Sequence, residues 1–167
     1  LYAPMSPKPM PAKMEYRKTT DTRLVQGFLT DPKLWRRMVN DSAPKVEDFT
    51  VKSNPDTVYV VGVEHGAVAK ALFLLCKSTF GPNTAEVHFA IIPDVWGLTL
   101  EIAVGFLSWV WKTTGLKRLI GPIPSYNRLC KKLAEAVGFR QFGIKRNAGT
   151  RRGVSFDLLL LDLRRPC

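Results

Sequence analysis

Residues 85–112 read AEVHFAIIPDVWGLTLEIAVGFLSWVWK. The run opens like a strand, breaks at Pro93, turns through Asp94, Val95, Trp96 and Gly97, and continues as a helix. A strand that feeds a glycine turn and opens a helix creates an anion site, because the first-turn N–H groups lack intrahelical partners and point outward. A phosphate-bearing ligand is therefore the first expectation, and the remaining sequence is read against it.

The chain has 167 residues, 46% of them hydrophobic and 23% charged. Such a composition suits one globular domain with a true core. Cys76, Cys130 and Cys167 fall in no metal-ligand or CxxC spacing, and the first two sit in apolar surroundings, as buried thiols of a reducing compartment do. The most apolar window, Leu98 to Trp111, is too short to span a membrane and carries Glu101. Four prolines among the first eleven residues replace the apolar stretch of a signal peptide. Residues 1–13 read as an extended arm and 14–167 as one domain, with the cytoplasm as the expected compartment.

The net charge of +11 is concentrated. Residues 112–152 hold 11 basic and 1 acidic side chains, nearly the whole excess. A polyanionic partner, either a cofactor phosphate or nucleic acid, would explain this, as would a solvated basic surface.

Outward from the opening stretch, MEYRK (14–18) alternates like a strand. Asp21 can cap a helix presenting Leu24, Val25 and Phe28, and Asp31-Pro32 opens another that runs to about Asn40. Residues 56–64 and 67–78 read as strands about a His65-Gly66 turn, giving a three-strand meander with 86–92. Beyond the helix, 117–123 is a short strand. Pro124-Ser125 should start a helix reaching Val137, with Leu129, Leu133 and Val137 on one face and Gly138 ending it. Residues 139–146 and 154–163 form a final strand pair joined by the basic loop NAGTRRG (147–153). The predicted order is β-α-α-β-β-β-α-β-α-β-β.

This order, with HFAIIPDVWG (88–97), SWVWKTT (108–114) and IPSYNRLCKKLAEAVGF (123–139), resembles the GNAT superfamily of N-acetyltransferases. Within it, these stretches look most like the small acetyltransferase-like proteins encoded in tailed-phage genomes. The resemblance covers about residues 14–163. It implies an α/β fold of the acyl-CoA N-acyltransferase type: a mixed, mostly antiparallel sheet flanked by helices, with strands 86–92 and 117–123 splayed. Acetyl-CoA would lie in that wedge, its pantetheine arm pairing with backbone near Phe89, Ile91 and Ile92. Its pyrophosphate would rest on the amides of Asp94-Val95-Trp96-Gly97-Leu98-Thr99. Of the superfamily's Gln/Arg-x-x-Gly-x-Gly/Ala pattern only Gly97 matches, since Asp94 and Thr99 depart from it. Trp96 either stacks on the adenine or covers the core.

The resemblance further places Asn127 near the pantetheine or the reacting end; read without it, Asn127 is an ordinary polar residue of a first helical turn beside a Ser125 cap. Lys131 is among the basic residues that follow and could reach the phosphates. Acetyl transfer needs a base to take the amine proton and a donor for the departing thiolate. Glu86 and His88 share one face of their strand, Glu86 being the first candidate base and His88 the second; an edge carboxylate and a packed histidine are the structural alternatives. The tyrosine usual seven residues after the asparagine is replaced by Ala134.

Two functions compete: an N-acetyltransferase acting on an amine of a protein or small molecule, and a non-catalytic virion or interaction protein, located in the host cytoplasm or the virion if phage-encoded. Nucleic-acid binding by residues 112–152 is a third reading. No metal-ligating cluster is expected.

Overall fold

The computed structural model describes residues 14–66 and 68–167, so the expected arm at 1–13 lies outside the described residues. Its strands are β1 (Met14–Thr19), β2 (Thr57–Glu64), β3 (Val68–Lys77), β4 (Thr84–Ile91), β5 (Arg118–Pro124), β6 (Arg140–Arg151) and β7 (Val154–Arg164). Its helices are α1 (Thr22–Leu29), α2 (Pro32–Met38), α3 (Thr99–Thr113) and α4 (Arg128–Ala136). The seven strands join one sheet in the order β1-β2-β3-β4-β5-β7-β6. Only β4 and β5 run parallel; the other neighbours are antiparallel.

Capping fixes where the first two helices begin. Asp21 accepts from the Arg23 and Leu24 N–H groups, and Asp31 from those of Lys33 and Leu34, with Pro32 in the first turn of α2. Such caps satisfy donors that the helix itself cannot. Between α1 and β2, the Gln26 side chain receives the Val51 N–H and donates to the Phe49 carbonyl, which ties the long connection down.

Each sheet face carries its own core. Val25, Phe28 and Leu34 of α1 and α2 pack with Val61, Val63, Leu72 and Ala90. On the other face Ile102, Phe106 and Val110 of α3 meet Phe73, Ile91, Leu119 and Leu161, and the Phe73 and Phe106 rings stack at 3.8 Å. Tyr16 locks β1 against α3 by donating to the Ile102 carbonyl at 2.7 Å. A Cβ on Gly105 would stand 2.6 Å from the Tyr16 hydroxyl, so this mid-helix glycine makes room for the phenol.

Three expectations are corrected. The Pro124-Ser125 pair does not start a helix: Pro124 still pairs with Leu158, Ser125 donates its N–H to Asp157, and α4 begins at Arg128 with Asn127 as its cap. Leu129 is 75% exposed, and the residues packed on the core are Cys130 and Ala134 together with the expected Val137 just past the helix. The basic loop is mostly strand, since Gly149, Thr150 and Arg151 pair with Phe156, Ser155 and Val154. The turn is only Arg152-Gly153, both at positive φ, and the extra residues form a bulge at Asn147.

Candidate active site

Backbone groups along a strand aim alternately at its two neighbours. In the β5 segment the Ser125 N–H donates to Asp157, and the Lys117 carbonyl accepts from Arg165, both at 2.8 Å. Odd-numbered positions therefore aim at β7. Arg118, Ile120, Pro122 and Pro124 aim at β4. In β4 the Ile92 N–H donates to Lys70 and the Thr84 carbonyl accepts from Ser78, so even positions face β3. That leaves Ala85, Val87, Phe89 and Ile91 facing β5.

The β4–β5 pairing ends at Glu86 opposite Ile120. The next rung would run from the N–H of residue 122 to the Val87 carbonyl. Residue 122 is proline and has no N–H; neither does residue 124. The strands consequently part, and the wedge opens with the backbone of Val87, Phe89 and Ile91 along one wall. The splay expected between 86–92 and 117–123 is present.

At the far end of β4 the chain passes through a 3₁₀ segment, Pro93–Leu98, into α3. No side chain caps α3. Thr99 donates its hydroxyl back to the Trp96 carbonyl at 2.7 Å. The Asp94 carboxylate, 73% exposed, lies 3.8 Å from the Lys70 ammonium. Trp96 is doubly held: its indole N–H donates to the Ile91 carbonyl at 2.7 Å, and the Arg37 guanidinium sits 4.2 Å above its ring. One aromatic face is thus already occupied. Gly97 and Leu98 lie in the same segment, at the mouth of the wedge.

Ile92 stands apart from its neighbours. Its N–H is bound to Lys70 and its carbonyl accepts from Val95, so the backbone pairing expected of it falls to Phe89 and Val87. Asn127 uses its side-chain oxygen on the Cys130 N–H at 3.1 Å. Lys131 pairs with Glu135 at 3.3 Å.

Glu86 and His88 point to the α1–α2 face beside the wedge, with Cys76 and Leu74 opposite them on β3. Their side chains approach to 3.6 Å and remain about half exposed, 36% and 46%. A carboxylate and an imidazole this close, open to solvent, can pass a proton from an amine to water. The Cys130 thiol is pushed up to about 11 by burial, an inert packing group. Ala134 packs on the core and supplies no hydroxyl. The two hydroxyl-bearing residues directly following β5 are Ser125, which accepts from the Asp157 N–H, and Tyr126, whose ring packs edge-on against Phe156 under the Arg151 guanidinium.

Arg37, Lys70, Pro122 and Arg151 are candidate site residues absent from the sequence reading, which weighed Tyr126 only as a nearby hydroxyl out of spacing. Pro122 alone had a local signal, since a proline inside a strand marks a missing rung. The others arrive through tertiary contacts. Arg118 and Arg146 are paired with Asp162 and Asp157, so part of the positive charge at 112–152 is compensated locally. Among the described residues no cluster could hold a metal ion, and no helix is long and apolar enough to cross a membrane.

Solved structures share this architecture. A protein assigned as a phosphinothricin N-acetyltransferase superposes with a TM-score of 0.69 at 19% identity, covering 91% of this chain and 98% of its own. A single-residue variant of Vibrio cholerae spermidine N-acetyltransferase gives 0.70 at 14% identity, covering 90% and 94%. A GNAT-family acetyltransferase of Bacillus anthracis gives 0.53 at 19% identity over 65% and 66%. No protein-family model and no curated protein matches the sequence. The likeness is one of fold: the chain has the GNAT-type acyl-CoA N-acyltransferase fold, a mostly antiparallel seven-stranded sheet flanked by helices.

Proposed function

We propose that the chain is an N-acetyltransferase moving the acetyl group of acetyl-CoA to an amine of a small molecule or protein. The observation that carries this reading is the wedge, held open by Pro122 and Pro124 and leading to a helix with no side-chain cap. Pantetheine carries amides that can complete the rungs left vacant at Val87 and Phe89, with Ile91 contributing its N–H. The pyrophosphate would rest on the turn of Trp96, Gly97, Leu98 and Thr99, and the Lys70 and Arg37 cations would offset Asp94. Asn127, as the cap of α4, holds that helix start beside β5, and Lys131 stands on the same helix.

Glu86, with His88 beside it, would take the amine proton directly or through water. The neutral amine then attacks the thioester carbonyl. The C–N bond forms, the C–S bond breaks, the nitrogen releases its surplus proton to water, and the thiolate takes a proton from water in turn, with Ala134 unable to give one.

Thermal shift and calorimetry with acetyl-CoA test the reading. Ligand at about a hundred times its Kd should stabilise the fold by about 2.7 kcal/mol. No shift at millimolar ligand would overturn it.

One observation favours a second reading, a non-catalytic interaction protein such as a virion component of phage origin. The Trp96 indole already fills the Ile91 carbonyl at the wedge mouth. On that reading Glu86→Ala leaves biological function intact, while removing residues 1–13 disrupts assembly. Loss of function from Glu86→Ala alone would exclude it.

A further inference from the structure

The end of the sheet away from the wedge gathers charge that the fold does not neutralise. Arg118 and Arg164 stand directly opposite each other, where β5 begins and β7 ends. Side chains so placed share one face with Cβ atoms about 5 Å apart, and like charges there destabilise the pair. Arg118 is answered by Asp162, Nε to Oδ2 at 2.7 Å. Arg164 is exposed and reaches no carboxylate among the described residues. Lys117 and Arg165 extend the patch. The Arg165 N–H donates to the Lys117 carbonyl at 2.8 Å, and both residues are exposed and equally without a carboxylate. The nearest acid on β4, Glu86, stands opposite Ile120 and is engaged with His88.

The same corner presents aromatic rings. Phe142 of β6 is 41% exposed, lies 4.9 Å beneath the Arg118 guanidinium and meets Phe80 edge to face at 5.6 Å. Phe80 is 46% exposed and belongs to the short connection between β3 and β4. That connection is braced. The Phe80 N–H donates to Ser78 Oγ and the Thr84 hydroxyl donates to the Pro82 carbonyl, both at 3.1 Å. The Asn83 carbonyl accepts from the Lys117 and Arg118 N–H groups, and Ser78 and Thr84 are themselves buried. A ring held toward solvent by so firm a loop is preorganised for a partner.

We propose that this corner binds single-stranded nucleic acid, with phosphates on Lys117, Arg164 and Arg165 and a base on the Phe80 ring. Guanidinium and ammonium groups without a carboxylate take phosphodiesters, and any unstacked base can lie on an exposed aromatic face. An acidic peptide would use the cations and leave the ring pair idle. A duplex keeps its base faces inside its own stack, so it too would use the cations alone. The corner lies where β4 and β5 are still paired, apart from the wedge, and needs no acetyl-CoA. It therefore stands or falls independently of the acetyltransferase reading.

Fluorescence anisotropy with a short labelled oligouridylate, repeated over a series of salt concentrations, is the test. Affinity should fall with salt at a log–log slope of about 2, from about 0.7 for each of three phosphates neutralised. Arg164→Gln with Arg165→Gln should lower that slope by about 1.4. Phe80→Ala should weaken binding about tenfold and leave the slope unchanged, since it removes stacking and no charge. Arg152→Gln, at the opposite end of the β6–β7 hairpin, should leave binding unaltered. All four positions are exposed, and melting temperatures report whether the variants fold. No binding at low salt, an undiminished affinity in Phe80→Ala or in the double arginine variant, or an equal loss in Arg152→Gln would overturn the proposal. Equal affinity for poly-L-glutamate or for a duplex of the same length would also overturn it, the first in favour of an acidic peptide and the second in favour of unselective charge attraction.

Discussion

The spacing of Glu86 and His88 puts both on one face of their strand, and the two side chains meet at 3.6 Å. If the chain is the N-acetyltransferase proposed above, Glu86→Gln keeps the shape and removes the proposed base, so kcat should fall by about 10² to 10⁴ with the KM for acetyl-CoA unchanged. A steady-state assay of the purified variant checks this. Tyr16 carries a separate prediction. Burial pushes its phenol up to about 12, above its ordinary value of 10.0. A raised value in the fold means that stability is fully present below pH 10 and declines as pH climbs toward 12. Tyr16→Phe should flatten that decline in alkaline melting curves and forfeit about 1 kcal/mol for the lost hydrogen bond to Ile102. Gly105→Ala should destabilise by about 1–3 kcal/mol despite the better helix propensity of alanine, because its methyl would collide with the phenol. Chemical denaturation of both single variants and the double variant should show strong non-additivity.

At the scale of elements, much of the fold was legible and its errors share a cause. The strand and helix order followed from period and caps, as at Asp21 and Asp31, where side chain and backbone speak locally. Pro124-Ser125 carries the same helix-start signature, yet the β5–β7 ladder runs through it and claims the Ser125 N–H. Pairing partners far away in sequence outrank a local cue. Residues 147–153 were misread for the same reason: Gly and Arg suggest a loop, while β7 supplies the ladder that makes them strand. Leu129 misled because a helix stripe can be drawn through Leu129 or Cys130, and only the sheet beneath α4 decides. The candidate site was half visible. Glu86, His88 and Gly97 lie on one stretch, but Arg37 and Arg151 reach the wedge through a helix and a hairpin that no spacing connects. Pro122→Val tests the wedge itself. The returned N–H should pair with the Val87 carbonyl, become protected from hydrogen exchange, and weaken acetyl-CoA binding about fivefold, the equivalent of one net hydrogen bond of about 1 kcal/mol.

Across the whole molecule, one carboxylate holds both turn amides of the hairpin tip, beside the bonds from the Asp41 N–H to Thr150 and from Arg151 to the Arg36 carbonyl. Asp41 accepts from two turn amides, and those bonds hold its carboxyl below the ordinary value. Its contribution is therefore present above the usual carboxylate range and is lost as pH falls through the lowered value. Hydrogen-exchange protection of the Arg152 and Gly153 amides should drop in acid. In Asp41→Asn it should be low at every pH. The contacts of the hairpin tip with α2 depend in part on that tether, so they should loosen in acid with it.

Pro122 and Pro124 have one more consequence, felt while the chain is still folding. The single parallel contact in the sheet joins segments more than thirty residues apart, and such contacts form late and are prone to mispairing. A β5 displaced by two residues toward its own N-terminus would bring Pro122 to the place where Ile120 must donate, and the rung would fail. Pro122 thus discriminates against that one slip of β5 during assembly: the same missing hydrogen that ends the β4 pairing also rejects this competing alignment.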